Sequence, residues 1–185
     1  MRIVSGRFRG RPLTPLGKGD PAAHLRPTSD RVRESLFSML ASRGAIEDAR
    51  VLDLFAGTGA LGLEALSRGA QSAVFVDSGR AAQKLLAANI RLLGVAGETR
   101  VLAREVLKLG DATGDDLPAD LVFLDPPYGK DLGGPVLVAL KARGWIAADA
   151  TIVWEESTPM PAPEGFTVDD QRRYGDTHVT VLRPL

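Results

Sequence analysis

The stretch from Val51 to Gly62, VLDLFAGTGALG, constrains this chain more than any other. VLDLF is an apolar strand pattern interrupted by one acid, and AGTGALG then opens a helix. Gly57, Gly59 and Gly62 fit G-x-G-x-x-G, in which glycines permit a tight turn and close approach of the backbone to a ligand. The pattern predicts a strand, a turn and a helix at the head of an α/β sheet. Asp53 lies inside the strand, four residues before the first glycine. A carboxylate buried there is costly unless something hydrogen-bonds it.

That acid bears on which cofactor the loop could take. In a dinucleotide enzyme the loop cradles a pyrophosphate, which a neighbouring anion would repel. S-adenosylmethionine carries no phosphate, and its ammonium suits a nearby carboxylate or loop carbonyl. The loop therefore points to a methyltransferase, with a nicotinamide enzyme and a plain strand-to-helix turn as alternatives.

The rest of the chain alternates strands with helices. Arg26 to Arg43 reads as a helix: Thr28 or Ser29 can cap it, Asp30 and Glu34 suit its positive end, and Val32, Leu36, Phe37 and Leu40 form its core stripe. Arg26, Arg31 and Arg33 are left as polar positions able to flank a cleft. Ser72 to Val76 predicts a second strand ending at Asp77, which lies 20 residues after Gly57, where an acid can hydrogen-bond ribose hydroxyls. A helix over 79–93 stops at Gly94, and Arg100 to Ala103 predicts a third strand. Glu105 follows where an adenine contact would fall. Strands are also expected at Leu121–Leu124 and Thr151–Trp154, with a helix over Leu132–Leu140 between them. Phe166–Tyr174 and Thr177–Leu182 read as a hairpin turned at Gly175-Asp176. The pattern is a doubly wound, mostly parallel sheet with an antiparallel edge.

A second chemical constellation, Asp125-Pro126-Pro127-Tyr128, directly follows the apolar strand Leu121–Leu124. Two prolines fix the turn so that Asp125, the Pro126 carbonyl and the Tyr128 ring leave the strand's carboxyl end, where open α/β sheets bind ligands.

Net charge is zero, yet its distribution is uneven. Residues 1–35 hold eight basic side chains against Asp20, Asp30 and Glu34, a local balance of +5, so the remainder carries −5. In MRIVSGRFRGRPL, an extended strand would align Arg7, Arg9 and Arg11 as a ridge for phosphates, with Phe8 anchoring the opposite face. Gly6 and Gly10 would equally permit a hairpin or bulge. Such an arm suggests an anionic partner. The absence of cysteine excludes disulfides, thiolate metal sites and pyrimidine C5 methylation through a cysteine adduct. His24 and His178 make no metal site, so no metal is expected. Without a signal peptide or a long apolar run, a soluble, cytoplasmic protein is expected.

Taken together, the chain resembles class I S-adenosylmethionine-dependent methyltransferases acting on exocyclic amines of nucleobases, whose Asn/Asp-Pro-Pro-aromatic motif matches Asp125 to Tyr128. More narrowly, MRIVSGRFRGRPL, RPTSDRVRESLF, VLDLFAGTGALGLEALSRGA and FLDPPYG resemble, in order, the RsmD family of bacterial 16S ribosomal RNA guanine-N2 methyltransferases. The resemblance implies a seven-stranded Rossmann-like sheet over 26–185 and an RNA-contacting extension over 1–25. It implies S-adenosyl-L-methionine held by Asp53, Phe55, Ala56, Gly57, Thr58, Gly59, Asp77, Ser78, Glu105, Val106 and Asp125. Catalysis would fall to Asp125, Pro126, Pro127 and Tyr128. RNA contacts would fall to Arg2, Arg7, Phe8, Arg9, Arg11, Arg26, Thr28, Arg31 and Arg33. The implied partner is 16S rRNA of the small ribosomal subunit, at a guanine of the 966 type, with the enzyme expected to be a monomer. Relatives often carry Asp where Glu105 stands. The alternatives are DNA adenine or cytosine amino-methylation, a nicotinamide oxidoreductase, and a non-catalytic RNA-binding assembly factor.

Overall fold

A computed structural model describes residues 1–15 and 28–185. Among these residues four α-helices, α1 (Asp30–Ser42), α2 (Ala60–Ser67), α3 (Arg80–Leu93) and α4 (Gly133–Ala142), accompany seven strands. The strands are β1 (Arg50–Leu54), β2 (Ser72–Val76), β3 (Thr99–Leu102), β4 (Ala119–Leu124), β5 (Ile146–Glu156), β6 (Phe166–Tyr174) and β7 (Thr177–Pro184). They form one sheet in the order β3-β2-β1-β4-β5-β7-β6. The first five are parallel, and β7 enters antiparallel between β5 and β6. This is the expected class I methyltransferase sheet.

The central strands are apolar throughout because both faces are covered. Val51, Phe75, Leu121, Phe123 and Val153 face α1, α2 and α3, while Leu52, Val74, Val122, Leu124, Ile152 and Trp154 face α4 and Trp145. The period-two alternation sorts one continuous run of hydrophobic residues into two cores. Ser29 caps α1, its side chain accepting from the Val32 amide at 3.2 Å. β5 is much longer than its apolar kernel, Thr151–Trp154, because Ile146 also pairs with Ala119 before the register shifts. The small and polar residues of that stretch, Ala147 to Asp149, hide the strand from an apolar pattern.

The amino-terminal segment departs from the extended ridge. Arg2 pairs with Pro12 across a narrow hairpin, and Arg9 and Arg11 amides close tight turns onto Gly6 and Phe8 carbonyls. Arg7, Arg9 and Arg11 therefore do not line one strand face. The hairpin lies against α2, so closely that a Cβ on Gly6 would fall 1.9 Å from the Ser67 carbonyl oxygen. Ile3 and Leu13 are buried in the same core as α1 and α2, and Phe8 packs against it. The segment up to residue 15 is thus continuous in packing with the sheet domain. Arg26 and the remainder of the extension from 16 to 27 lie outside the described residues.

Glu64 of α2 joins hairpin, α1 and α2. It is fully buried and accepts from the amides of Val4 (2.8 Å) and Ser5 (3.1 Å) and from Arg33 (3.1 Å) and Arg68 (3.0 Å). Removing one partner from a buried ion pair strands the other charge, which typically costs about 3–5 kcal/mol. Glu64→Ala should lower the urea-unfolding free energy by about that amount, whereas Arg2→Ala, which breaks an exposed pair with Asp30, should change it by less than about 1 kcal/mol. Equal effects would remove Glu64 from this structural role.

Candidate active site

The site lies at the carboxyl edge of the sheet, where the strand order reverses direction between β1 and β4. Leu54 pairs with Val76 on one side and with Leu124 on the other, and Leu124 pairs with Trp154. The next residue on each strand is Phe55, Asp77, Asp125 or Glu155. One step past a common rung, four strands thus deliver the glycine loop and three carboxyl groups to one edge.

Asp53 is 2% exposed, and its Oδ2 accepts from the Gly62 amide at 2.9 Å. The bond crosses from the strand to the first turn of α2 and supplies the partner that a buried acid requires. Gly62 is needed for this approach: a Cβ there would lie 2.4 Å from the Phe75 ring. Burial pushes Asp53 well above the usual carboxylate range; the Gly62 amide opposes that, and the charges of Asp125 and Asp77 add to it.

The loop between β1 and α2 is held from several sides. Gly57 and Gly59 have positive φ, and so does Phe55 at 57°, a conformation uncommon for a bulky side chain and frequent at functional loops. Asp77 accepts from the Gly57 amide at 2.9 Å and the Gly79 amide at 2.8 Å. Asn89 of α3, fully buried, donates to the Thr58 carbonyl at 3.0 Å and accepts from the Thr14 amide at 2.7 Å. It therefore links the loop to the end of the hairpin. Nothing in the local sequence distinguishes Asn89 from other polar helix residues.

Asp125-Pro126-Pro127-Tyr128 leaves β4 beside this loop, the Asp125 amide directed to the Leu54 carbonyl at 3.5 Å. Pro126 is buried, Asp125 and Tyr128 are half-buried, and Pro127 is exposed. The Tyr128 hydroxyl lies 3.4 Å from Thr177 Oγ1 on β7. Buried Glu156 accepts from the Gly129 amide at 3.2 Å and from the Ser157 amide at 2.9 Å, fastening the turn to β5.

The other expected site residues are less concentrated. Ala56 and Thr58 are half-buried within the loop, and Ser78 is exposed beyond Asp77. Val106 is buried in the core on the α4 side, whereas Glu105 is exposed and paired with Lys108 at 3.3 Å. Arg9 and Arg31 are exposed and Thr28 half-buried. Arg7 pairs with Glu98 and lies over the Phe8 ring, and Arg11 donates to the Leu92 carbonyl at 2.8 Å. Arg33 overturns its expectation: it is fully buried against Glu64 and Asp30. Its place one turn after the N-cap looks polar in sequence, but the buried Glu64 carboxylate draws it inward.

The donor set fits S-adenosylmethionine. Asp77 and Asp125 place carboxylates where a dinucleotide would bring its pyrophosphate, and their charge favours an ammonium and a sulfonium. Among the described residues, no group of three His, Asp or Glu side chains is placed to hold a metal ion, and no helix is long and apolar enough to cross a membrane.

Because folding raises the Asp53 pKa, the folded state binds more protons than the unfolded chain just above the usual carboxylate range. Stability therefore falls as pH rises from that range through the raised value. Asp53→Asn keeps an oxygen for the Gly62 amide and cannot ionise, so between pH 5 and 8 the variant should lose less stability than the parent protein. Identical losses in urea titrations at the two pH values would contradict the assignment.

Comparison with known proteins places this geometry in a family. The family model described as Conserved hypothetical protein 95 matches residues 1–183. The chain is 41% identical over 164 residues to ribosomal RNA small subunit methyltransferase D of Escherichia coli K12, covering 88% of this chain and 78% of that protein. It is 33% identical over 178 residues to the Haemophilus influenzae protein of the same name, covering 95% and 89%. The solved structure of yhhF from Escherichia coli superposes with a TM-score of 0.82 at 36% identity, covering 100% of this chain and 97% of that one. By fold, site and sequence the chain belongs to the ribosomal RNA small subunit methyltransferase D (RsmD) family.

Proposed function

We propose that this chain methylates the exocyclic N2 amine of a guanine in 16S rRNA of the small ribosomal subunit, a guanine of the 966 type. The observation that carries this reading is the Asp125-Pro126-Pro127-Tyr128 turn, set between the glycine loop and Glu156 at the sheet's carboxyl edge. The names of the relatives support ribosomal RNA as the class of substrate. S-adenosyl-L-methionine is the cofactor, and it supplies an electrophilic methyl group on a sulfonium. Asp53, the Phe55–Gly59 loop, Asp77 and Ser78 would hold it, with Glu105 and Val106 at its adenine end.

The chemistry asked of the protein follows from the nucleophile. The guanine 2-amino lone pair is delocalised into the ring and attacks poorly. Asp125 and the Pro126 carbonyl accept both of its N–H bonds, which favours a tetrahedral nitrogen with its lone pair out of conjugation. Those contacts strengthen as positive charge develops on nitrogen, so they favour the transition state over the ground state. Holding the reactants in line can supply roughly 7–11 kcal/mol, and no strong base is needed because the proton leaves after transfer. Tyr128, anchored towards Thr177, stacks on the extruded base for roughly 1–3 kcal/mol, against an extrusion cost of a few kcal/mol.

Asp125→Ala should lower kcat by about a hundredfold or more while cofactor affinity, read by the melting shift with S-adenosylhomocysteine, stays near that of the parent. Near-normal turnover would remove Asp125 as the amine acceptor. Replacing Arg7, Arg9 and Arg11 together with Ala should weaken RNA binding and reduce the slope of log affinity against log salt by about 0.7–0.9 for each phosphate that is no longer neutralised. An unchanged slope would assign the hairpin a purely structural role.

A further inference from the structure

Glu155 is built into the site, and the transfer chemistry above leaves it without a task. Trp154 is paired with Leu124, so Glu155 stands beside Asp125 on the neighbouring strand. Val153 and Phe123 face the same core. Two residues further along each strand, Glu155 and Asp125 return to that same face, and Asp53 shares it through its pairing with Phe123. On its other side Glu155 is paired with Val179, which offers no polar side chain. Glu155 is 3% exposed, and its Oε1 is buried without a hydrogen-bond partner. Its neighbour Glu156, by contrast, is occupied in fastening the catalytic turn. A buried carboxyl oxygen left unsatisfied beside the residue that holds the target amine is arranged for a group that arrives with the substrate.

We propose that Glu155 reads the N1–H of the target guanine next to the amine held by Asp125, and so makes the site select guanine over bases whose ring nitrogen is an acceptor. The inference rests on the guanine-N2 reading above. Guanine presents N2–H, N1–H and the O6 acceptor in a row, whereas adenine and cytosine place an unprotonated ring nitrogen beside their amines. An acceptor adjacent to Asp125 is satisfied by guanine and meets a lone pair in either of the others. A site built to hydrogen-bond a substrate N–H strongly rejects the analogue that lacks it. Burial, with the charges of Asp125 and Asp53, raises Glu155 well above the ordinary carboxyl range. Its protonated form, which that shift favours, offers a carbonyl to N1–H and a hydroxyl to O6; the ionised form would still offer an acceptor to N1–H.

The test uses small subunits reconstituted with 16S rRNA carrying either guanine or a single 2-aminopurine at the target position. 2-Aminopurine keeps the 2-amino group but lacks both N1–H and O6. The parent enzyme should prefer guanine by at least about thirtyfold in kcat/KM. Glu155→Gln, whose amide presents the same acceptor and donor and cannot ionise, should retain that preference. Glu155→Leu should lose guanine activity and bring the two substrates within about threefold, with its melting shift by S-adenosylhomocysteine unchanged. Comparing variants removes any intrinsic difference in reactivity between the two amines. Equal use of both bases by the parent enzyme, or a preference that survives in Glu155→Leu or disappears in Glu155→Gln, would overturn the inference. Should Glu155→Leu fail to fold, the parent and Glu155→Gln preferences decide. Failure of the parent enzyme to methylate guanine at all would instead overturn the guanine-N2 reading itself.

Discussion

The hydrogen bond from the Gly62 amide to Asp53 fixes the site more than any other contact. It joins the middle of β1 to the first turn of α2, and every residue between them, the whole glycine loop, takes its path from that closure. The bond requires a helix placed close enough that Gly62 has no room for a side chain against Phe75. It also makes a buried acid tolerable at a place where acids from β2, β4 and β5 gather. A site so arranged is set against phosphate and in favour of cationic ligands, which is the electrostatic logic behind a sulfonium cofactor in a fold widely used for dinucleotides.

A second network ties this centre to the basic amino-terminal hairpin. Glu64 holds the backbone of Val4 and Ser5 together with Arg33 and Arg68, and Asn89 joins Thr14 to the Thr58 carbonyl. The hairpin is therefore packed onto α2, the helix that the cofactor loop opens, and shares its core through Ile3 and Leu13. Basic residues at its tip sit on a rigid base, which suits orienting an RNA ligand as well as attracting it.

Much of this was legible in the residues themselves. Apolar runs bounded by glycine and proline located the five parallel strands, and the Gly175-Asp176 turn located the closing hairpin, because burial on both faces and turn chemistry are local signals. The glycine loop, Asp53, Asp77 and the Asp125–Tyr128 turn were legible for the same reason: each is a short pattern with a backbone requirement. What escaped depends on contacts between distant parts of the chain. Arg33 reads as a surface cation until Glu64, 31 residues away, pulls it into the core. The spacing-two arginines suggested a ridge, but Gly6 and Gly10 bend the segment into a hairpin. Asn89 and Glu155 gain their meaning only from neighbours on other elements, and β5 extends beyond its apolar kernel through pairing that its own sequence does not announce.

The proposed reaction is transfer of a methyl group, at this edge of acids and prolines, to the guanine N2 amine of small-subunit RNA. It is tested most directly by transfer of a tritiated methyl group from S-adenosylmethionine to small subunits and to free 16S rRNA from cells lacking the enzyme, followed by nucleoside analysis. The label is expected in N2-methylguanosine, with the better acceptor placing the reaction before or after subunit assembly. Label in another nucleoside, or none in either acceptor when cofactor binding is confirmed by a melting shift, would contradict it.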